Sequence, residues 1–221
     1  VFDLLANRYR LAFLALLFGM MIVAPRAGQA LDFTLPTTEM RHVKWSIAEG
    51  APANIVAIAQ TPDGFIWLGT ATGLYRFDGV RFEHIEAQEG DPARSLQITA
   101  LLTARNGDLW VGYDYGGVAV YRHGRLQGRN EGTPRGSVVA IAQSSDGAIW
   151  VASESSNSQR LRYYKAGKWH VFNSGVDLPD EHTQDMIADR DGTIIIALSD
   201  SIHRFDPAAG RFVRLNARGG V

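Results

Sequence analysis

A short turn followed by an aromatic residue recurs along this chain and constrains its fold more than any other feature. Each turn is an Asp-Gly or Asn-Gly pair, and the position four residues after the Asp or Asn is tryptophan in three repeats and isoleucine in the fourth. The turn glycines are Gly64, Gly107, Gly147 and Gly192, and the positions that follow them hold Trp67, Trp110, Trp150 and Ile195. The spacings between these last four positions are 43, 40 and 45 residues. Periods of this size are typical of repeat architectures, and four short strands per period predict a β-propeller blade.

The first repeat shows how the strands are assigned. Residues 55–59 form an apolar run, and Asp63-Gly64 then favours a tight hairpin because glycine accepts a positive φ. Residues 65–69 are apolar on both faces of the pleat, which indicates a strand covered on both sides, as between neighbouring blades. The same reading along the chain predicts an all-β fold of four-stranded antiparallel blades. The blades are predicted at 55–87, 98–130, 138–173 and 183–215, within a propeller domain spanning 41–221.

The repeated tryptophans can be interpreted as a ligand platform or as packing residues. One large aromatic at the same place in each unit is what blade-to-blade packing requires, so we interpret Trp67, Trp110 and Trp150 as structural anchors. A small residue follows each anchor position by two, which predicts close approach of the next blade. These small residues are Gly69, Gly112, Ala152 and Ala197.

An additional alternating segment over residues 41–48 predicts a closing strand ahead of the first blade. The fourth blade already has an outer strand of its own at 211–215. The strand over 41–48 is therefore not needed to complete any of the four blades. The chain is therefore predicted to be part of a larger propeller.

The first 30 residues are predicted to be a signal peptide, followed by a linker over 31–40. Arg8 and Arg10 precede an uncharged apolar run at 11–24, and Gly28-Gln29-Ala30 offers small residues for cleavage. The run is shorter than the roughly 18–20 residues that span a bilayer, although a retained membrane anchor is the alternative. The predicted localisation is periplasmic.

Composition and motifs exclude several kinds of site. The net charge of −1, without a basic run, argues against nucleic acid as a partner, and the chain has no cysteine to form disulfides. Six dispersed histidines show no metal-ligand spacing. Asp189-Arg190-Asp191-Gly192 suggests a calcium loop, but Ile187 holds the preceding ligand position and Leu198 holds the closing position, so the match fails. We therefore predict no metal site, no cofactor and no catalytic residue in this chain.

A candidate ligand site lies in the loops expected on one face of the propeller. The richest of them contains Tyr113, Asp114 and Tyr115, and the loop of Arg94 precedes the same blade. Aromatic faces with a few polar groups suit a small polar molecule or an oligosaccharide. The alternative is a loop with ordinary surface tyrosines.

The repeats resemble a known family. Residues 61–70 and 73–79, together with the entry segment 45–52, are similar to the two-component regulator propeller repeat. The resemblance covers about 41–215, closely in the first blade and weakly in the fourth. It implies a periplasmic sensor propeller, usually seven-bladed or paired, in a homodimeric receptor of the bacterial inner membrane. A β-sandwich, a transmembrane helix and an output domain would follow, the output being a histidine kinase or a diguanylate cyclase.

The resemblance thus implies the sensing region of a bacterial signalling receptor, most often a two-component sensor histidine kinase. Two alternatives come from other classes: a secreted propeller glycoside hydrolase or lyase, and a secreted scaffold that binds proteins. The residues beyond Val221 would distinguish these functions.

Overall fold

Four antiparallel sheets of four strands each make up the described part of the chain. The computed structural model describes residues 43–86, 97–115, 117–128, 132, 136–154, 161–172, 178–179 and 181–215. The first sheet holds β1 (Ile55–Gln60), β2 (Ile66–Thr70), β3 (Gly73–Phe77) and β4 (Phe82–Ile85). The second holds β5 (Ile98–Thr103), β6 (Leu109–Tyr113), β7 (Val118–Arg122) and β8 (Arg125–Gly128). The third holds β9 (Val138–Gln143), β10 (Ile149–Ser153), β11 (Leu161–Lys165) and β12 (Lys168–Val171). The fourth holds β13 (Thr183–Ala188), β14 (Ile194–Leu198), β15 (Ile202–Asp206) and β16 (Arg211–Arg214). In every sheet the strands pair in chain order.

The turn between the first two strands has the same construction in each sheet. In the first sheet, the backbone N–H of Thr61 donates to the carbonyl of Phe65, and that of Gly64 donates back to Thr61. The turn glycines have positive φ angles of 90°, 85°, 85° and 73° at Gly64, Gly107, Gly147 and Gly192. A side chain is strained in this backbone region, which is why glycine recurs there.

The sheets pack face to face, with their first strands adjacent in the order β1, β5, β9 and β13. The close approach depends on the small residues of the second strands. A Cβ atom added to Gly69 would come within 2.6 Å of Cγ2 of Ile98, and one added to Gly112 within 2.6 Å of Cγ1 of Val138. The predicted all-β fold of propeller blades is confirmed.

Each of the three repeated tryptophans packs against an aromatic ring of the next sheet. The ring centroids of Trp67 and Tyr121 lie 4.6 Å apart, those of Trp110 and Tyr164 lie 5.4 Å apart, and those of Trp150 and Phe205 lie 5.1 Å apart. All three indoles are buried. They therefore act as packing residues between neighbouring blades and are not presented on the surface.

The two outer faces of this stack carry exposed apolar side chains. On β1, Val56 and Ile58 are 63% and 66% exposed. On the fourth sheet, Ile187, Ile202 and Val213 are about half exposed, while Ile194 and Ile196 on the opposite face are fully buried. The first and fourth sheets thus each have one face that is apolar, as in an inner blade. No other described sheet covers these two faces.

The predicted closing strand over 41–48 is corrected in its described part. Residues 43–46 are not in a strand, and Ile47–Glu49 forms one 3₁₀ turn. Ser46 and Glu49 form a capping box around this turn, and Gly50 ends it in the left-handed region. The Ser-x-x-Glu sequence therefore favours a helical turn over the alternating pattern. Trp45 packs edge-on against Phe77, with ring centroids 4.9 Å apart.

The predicted signal peptide at 1–30 and the linker at 31–40 lie outside the described residues. Within the described ranges, no helix has the length and apolar character needed to cross a membrane.

Candidate functional site

The predicted ligand residues fall in different environments. Tyr113 is the last residue of β6 and is 3% exposed, in the core between the first and second sheets. Tyr115 is 78% exposed and has a φ of 57°, so the turn presents its ring to solvent. Asp114 is half-buried, and its backbone N–H donates to the carbonyl of Gln97 at 2.9 Å. Arg94 lies outside the described residues. The structure thus brings Asp114 and Tyr115 to one surface loop and places Tyr113 beneath it.

The fourth sheet contains a buried polar residue, His203 of β15. Its Nε2 atom is 3.0 Å from the hydroxyl of Ser201. Its Nδ1 atom has no hydrogen-bond partner among the described residues. Burial lowers the pKa of His203, Arg214 lowers it further, and Glu181 opposes them. The imidazole is therefore biased toward its neutral form.

At the edge of the sheets opposite the loop of Tyr115, the turns between the first and second strands form a repeated polar cluster. In the first sheet, the indole N–H of Trp67 donates to the hydroxyl of Thr61 at 2.8 Å, and this hydroxyl donates to Asp63 at 2.5 Å. In the third sheet, Trp150 donates to Ser144 at 3.2 Å, and Ser144 donates to Asp146 at 2.5 Å. A buried indole N–H is satisfied in this way, and the carboxylate is tied to its turn.

The second sheet replaces this cluster by an ion pair. Ala104 stands at the hydroxyl position and Asn106 at the carboxylate position. The guanidinium of Arg122 donates through Nε, at 2.6 Å, and through Nη2 to the two carboxylate oxygens of Asp108. Asp108 is buried, and its hydrogen bond raises the pKa of Arg122. The bidentate pair fixes the guanidinium at the surface of the second sheet.

A cavity of about 520 Å³ opens between the first and second sheets at this edge. Three turns supply its walls: those between β1 and β2, β5 and β6, and β7 and β8. Its lining residues are Thr61, Pro62, Asp63, Trp67, Arg76, Arg105, Asn106, Gly107, Asp108, Leu109, Tyr121, Arg122, His123 and Gly124. This cavity could not be predicted from the sequence, because its residues come from two repeats and three separate turns.

A smaller cavity of about 210 Å³ lies between the second and third sheets at the same edge. Lys165 and Asp146 form an ion pair of 2.6 Å on its wall. The hydrogen bond from Lys165, with a further one from Ser144, lowers the pKa of Asp146 to about 2. This carboxylate is therefore ionised at neutral pH and paired with its cation. Within the described ranges, no group of three or more metal-ligating side chains converges at either edge.

Comparisons with known proteins support the sequence resemblance. The two-component regulator propeller family matches residues 50–72, which include the first hairpin turn and its tryptophan. The predicted resemblance is therefore confirmed for the repeat of the first sheet. Among curated proteins, no sequence matches this chain significantly.

Several solved structures share the fold. The extracellular domain of BT4673 from B. thetaiotaomicron, described as a hybrid two-component system, superposes with a TM-score of 0.61 at 23% identity. The match covers 77% of this chain and 23% of that chain. The extracellular domain of BT3049 from the same organism gives a TM-score of 0.62 at 18% identity, over 82% of this chain and 25% of that one. The chain thus spans about a quarter of the length of these relatives.

Virginiamycin B lyase from Staphylococcus aureus is also similar, with a TM-score of 0.56 at 16% identity, over 73% of this chain and 55% of the lyase. Extracellular domains of two-component systems and a lyase thus share the architecture, so the likeness establishes the fold and not the activity.

Proposed function

We propose that this chain is an extracytoplasmic ligand-sensing propeller of a bacterial signal-transduction receptor. The match of residues 50–72 to the two-component regulator propeller is the observation that carries the proposal. The structural likeness to extracellular domains described as hybrid two-component systems is in line with it. The apolar segment 11–24 and its flanks, which have the composition of an export signal, favour an extracytoplasmic location.

In this proposal the complete receptor has more blades than the four described here. The exposed apolar faces of the first and fourth sheets support this, because an apolar blade face is stable when another blade covers it. A membrane helix and an output domain, most often a histidine kinase, would transmit the signal. Ligand binding would favour one of two packings of the receptor, and the output would follow that equilibrium.

Reporter fusions and a phosphorylation assay test location and output. Alkaline phosphatase fused after Leu215 is expected to be active in cells, and β-galactosidase fused at the same point is expected to be inactive. The protein from the complete gene, in membranes, is expected to incorporate phosphate from ATP at a histidine. An active β-galactosidase fusion would contradict the location, and a complete gene that encodes no membrane span would contradict the receptor role.

The loop of Asp114 and Tyr115 is the proposed ligand contact. Its exposed aromatic ring beside a carboxylate suits an oligosaccharide or another small polar molecule. Titration calorimetry against a set of neutral oligosaccharides, with Tyr115→Ala and the first-sheet loop variant Thr72→Ala as its control, tests this. Loss of binding in the first variant alone supports the contact, and equal binding by both variants contradicts it.

A secreted propeller lyase is the second candidate, since the lyase from S. aureus shares the fold over 73% of this chain. This function predicts a complete gene that ends after further blades, without a membrane span. The gene sequence after residue 221 distinguishes the two functions directly.

A further inference from the structure

We infer that the cavity between the first and second sheets binds a small organic anion, a carboxylate carried on a flat apolar body. This site lies at the opposite edge from the loop of Tyr115 and does not depend on the sensing role. The β5–β6 turn and the β6–β7 loop leave β6 at opposite ends, which places the two sites on opposite faces of the same blade. A volume of about 520 Å³ lies within the range of small-molecule sites, roughly 300–1,000 Å³.

Three arginines line the cavity, and their guanidinium groups are held in different ways. Arg122 is fixed by its bidentate pair with the buried Asp108. Arg76 donates through Nε and Nη2 to Glu83, at 3.1 and 2.5 Å, from a position 4.4 Å above the ring of Phe65. Both groups are therefore preorganised. Each has five N–H donors, so donors remain for an incoming anion after the two directed at the carboxylate.

Arg105 differs from the other two arginines in its partners. Its Nη1 group donates to the backbone carbonyl of Ser145 at 3.0 Å, and its backbone N–H donates to the side chain of Gln143. No carboxylate of the described residues pairs with it. Asp108 pairs with Arg122 and Glu83 pairs with Arg76, so Arg105 is the lining arginine that no carboxylate of the described residues neutralises. The lining carboxylate of Asp63 accepts a hydrogen bond from the hydroxyl of Thr61 at 2.5 Å. The guanidinium of Arg105 favours an anionic ligand, since charge-assisted hydrogen bonds to guanidinium groups are strong and directional.

Part of the remaining wall is formed by aromatic and other apolar side chains. The ring of Tyr121 is half-buried against Trp67, and Pro62 stands at the rim of the cavity. A planar ligand body can lie against these rings while its charged end reaches the guanidinium groups. Selection of the apolar body distinguishes the proposed ligand from a bare inorganic anion.

A comparison with the smaller cavity shows why the cavity between the first and second sheets is the better ligand site. Between the second and third sheets, Lys165 is neutralised by Asp146, and the ring of Trp169 packs against Tyr164 at 5.3 Å. In the second sheet the position equivalent to Trp169 holds Leu126, which pairs with Tyr121. The smaller cleft thus has a bulky aromatic residue and an ion pair where the larger one has a leucine and an arginine without a carboxylate partner among the described residues.

Titration calorimetry with benzoate tests the site, with benzamide as the neutral isostere and inorganic sulfate as the probe of charge alone. Benzoate is expected to bind saturably to the chain with a Kd below about 1 mM, and benzamide and sulfate at least about tenfold more weakly. Arg105→Ala is expected to raise the Kd of benzoate about tenfold and Arg105→Lys less, because lysine keeps the charge but loses the planar donors. Arg211→Ala, which removes an exposed arginine of the fourth sheet, is the matched control and is expected to leave the Kd unchanged.

Each alternative result overturns the inference. Absence of benzoate binding in a chain with an intact thermal transition removes the site. Sulfate binding as tight as benzoate binding shows an anion site without selection of an apolar body. An unchanged Kd in Arg105→Ala, or an equal loss in Arg211→Ala, places benzoate elsewhere. None of these results bears on the oligosaccharide titration at Tyr115, so the failures of the two proposals are distinguishable.

Discussion

The same repeat position is buried at the inner sheet interfaces and partly exposed on the outer face of the fourth sheet. At the inner interfaces, Trp67, Trp110 and Trp150 are buried against the next sheet. In the fourth sheet the equivalent Ile195 is only half-buried, and Ile202 beside it is 49% exposed. A repeat position is therefore a core position only where a neighbouring sheet covers it. Burial here is a property of the sheet pair, not of a single repeat.

Removal of one anchor side chain gives the largest expected difference in the free energy of unfolding between the inner interfaces and the outer face. Trp110→Ala deletes a buried ring and leaves a cavity, so we expect the free energy of unfolding to fall by about 3–5 kcal/mol. Ile195→Ala, at the half-covered equivalent position, is expected to cost about 1 kcal/mol. Urea denaturation of both variants measures the contrast. Equal losses would show that the outer face of the fourth sheet is covered in solution.

Close approach at the small-residue position gives the next largest effect. The Cβ atom of Gly112→Ala would meet Val138, so we expect a loss of about 1–3 kcal/mol from overpacking. The second change Val138→Ala is expected to recover part of this loss, since the two positions are in contact. In the fourth sheet, Ala197→Val is expected to cost less, because its facing side is uncovered. Additive losses in the Gly112 and Val138 pair would argue against the contact.

The indole hydrogen bond distinguishes the third sheet from the second. Ser144→Ala removes the acceptor of the buried Trp150 N–H, and we expect a loss of about 1–2 kcal/mol. Ala104→Ser introduces a hydroxyl at the equivalent position of the second sheet and is expected to gain up to about 1 kcal/mol. Thermal melts of the two variants should shift in opposite directions. Shifts of the same sign would show that the hydroxyl acts through its turn and not through the indole.

The smallest effect concerns pH and the ion pair of Asp146 with Lys165. Because the folded pKa of Asp146 is about 2, below its ordinary 3.8, the pair stabilises the fold above pH 4. This contribution is lost as the pH falls through 2, and solvent screening limits it to less than about 1 kcal/mol. Asp146→Asn, which copies Asn106 of the second sheet, should lose less stability between pH 5 and pH 2.5 than the parent chain. A steeper loss in the variant would contradict the pairing.

Several features of the fold could be predicted because they are local. The Asp-Gly and Asn-Gly turns need only the permissive backbone of glycine, and the apolar runs beside them need only their own pattern. The closing strand was predicted wrongly in its described part, because the alternating pattern was given more weight than the Ser46–Glu49 capping box. That signal was present in the sequence.

The candidate sites could be predicted only in part. Loop composition predicted that Asp114 and Tyr115 lie in one surface loop, but Tyr113 is the last residue of β6 and is buried in the core against the first sheet. The larger cavity needs the turn of Thr61 and the turn of His123 to meet, although they lie in different repeats. No single repeat contains the information that these turns are neighbours.

The sequence by itself determined the repeat, its turns, its four strands and the positions that carry large or small side chains, because these follow from backbone preferences and hydrophobic pattern within about 40 residues. Only the tertiary structure decided which copies of those positions are buried and which arginines are neutralised. It alone showed that one cleft between sheets remains open while its neighbour is partly filled. The physical reason is that burial and charge pairing arise between sheets, where side chains far apart in the chain share one space.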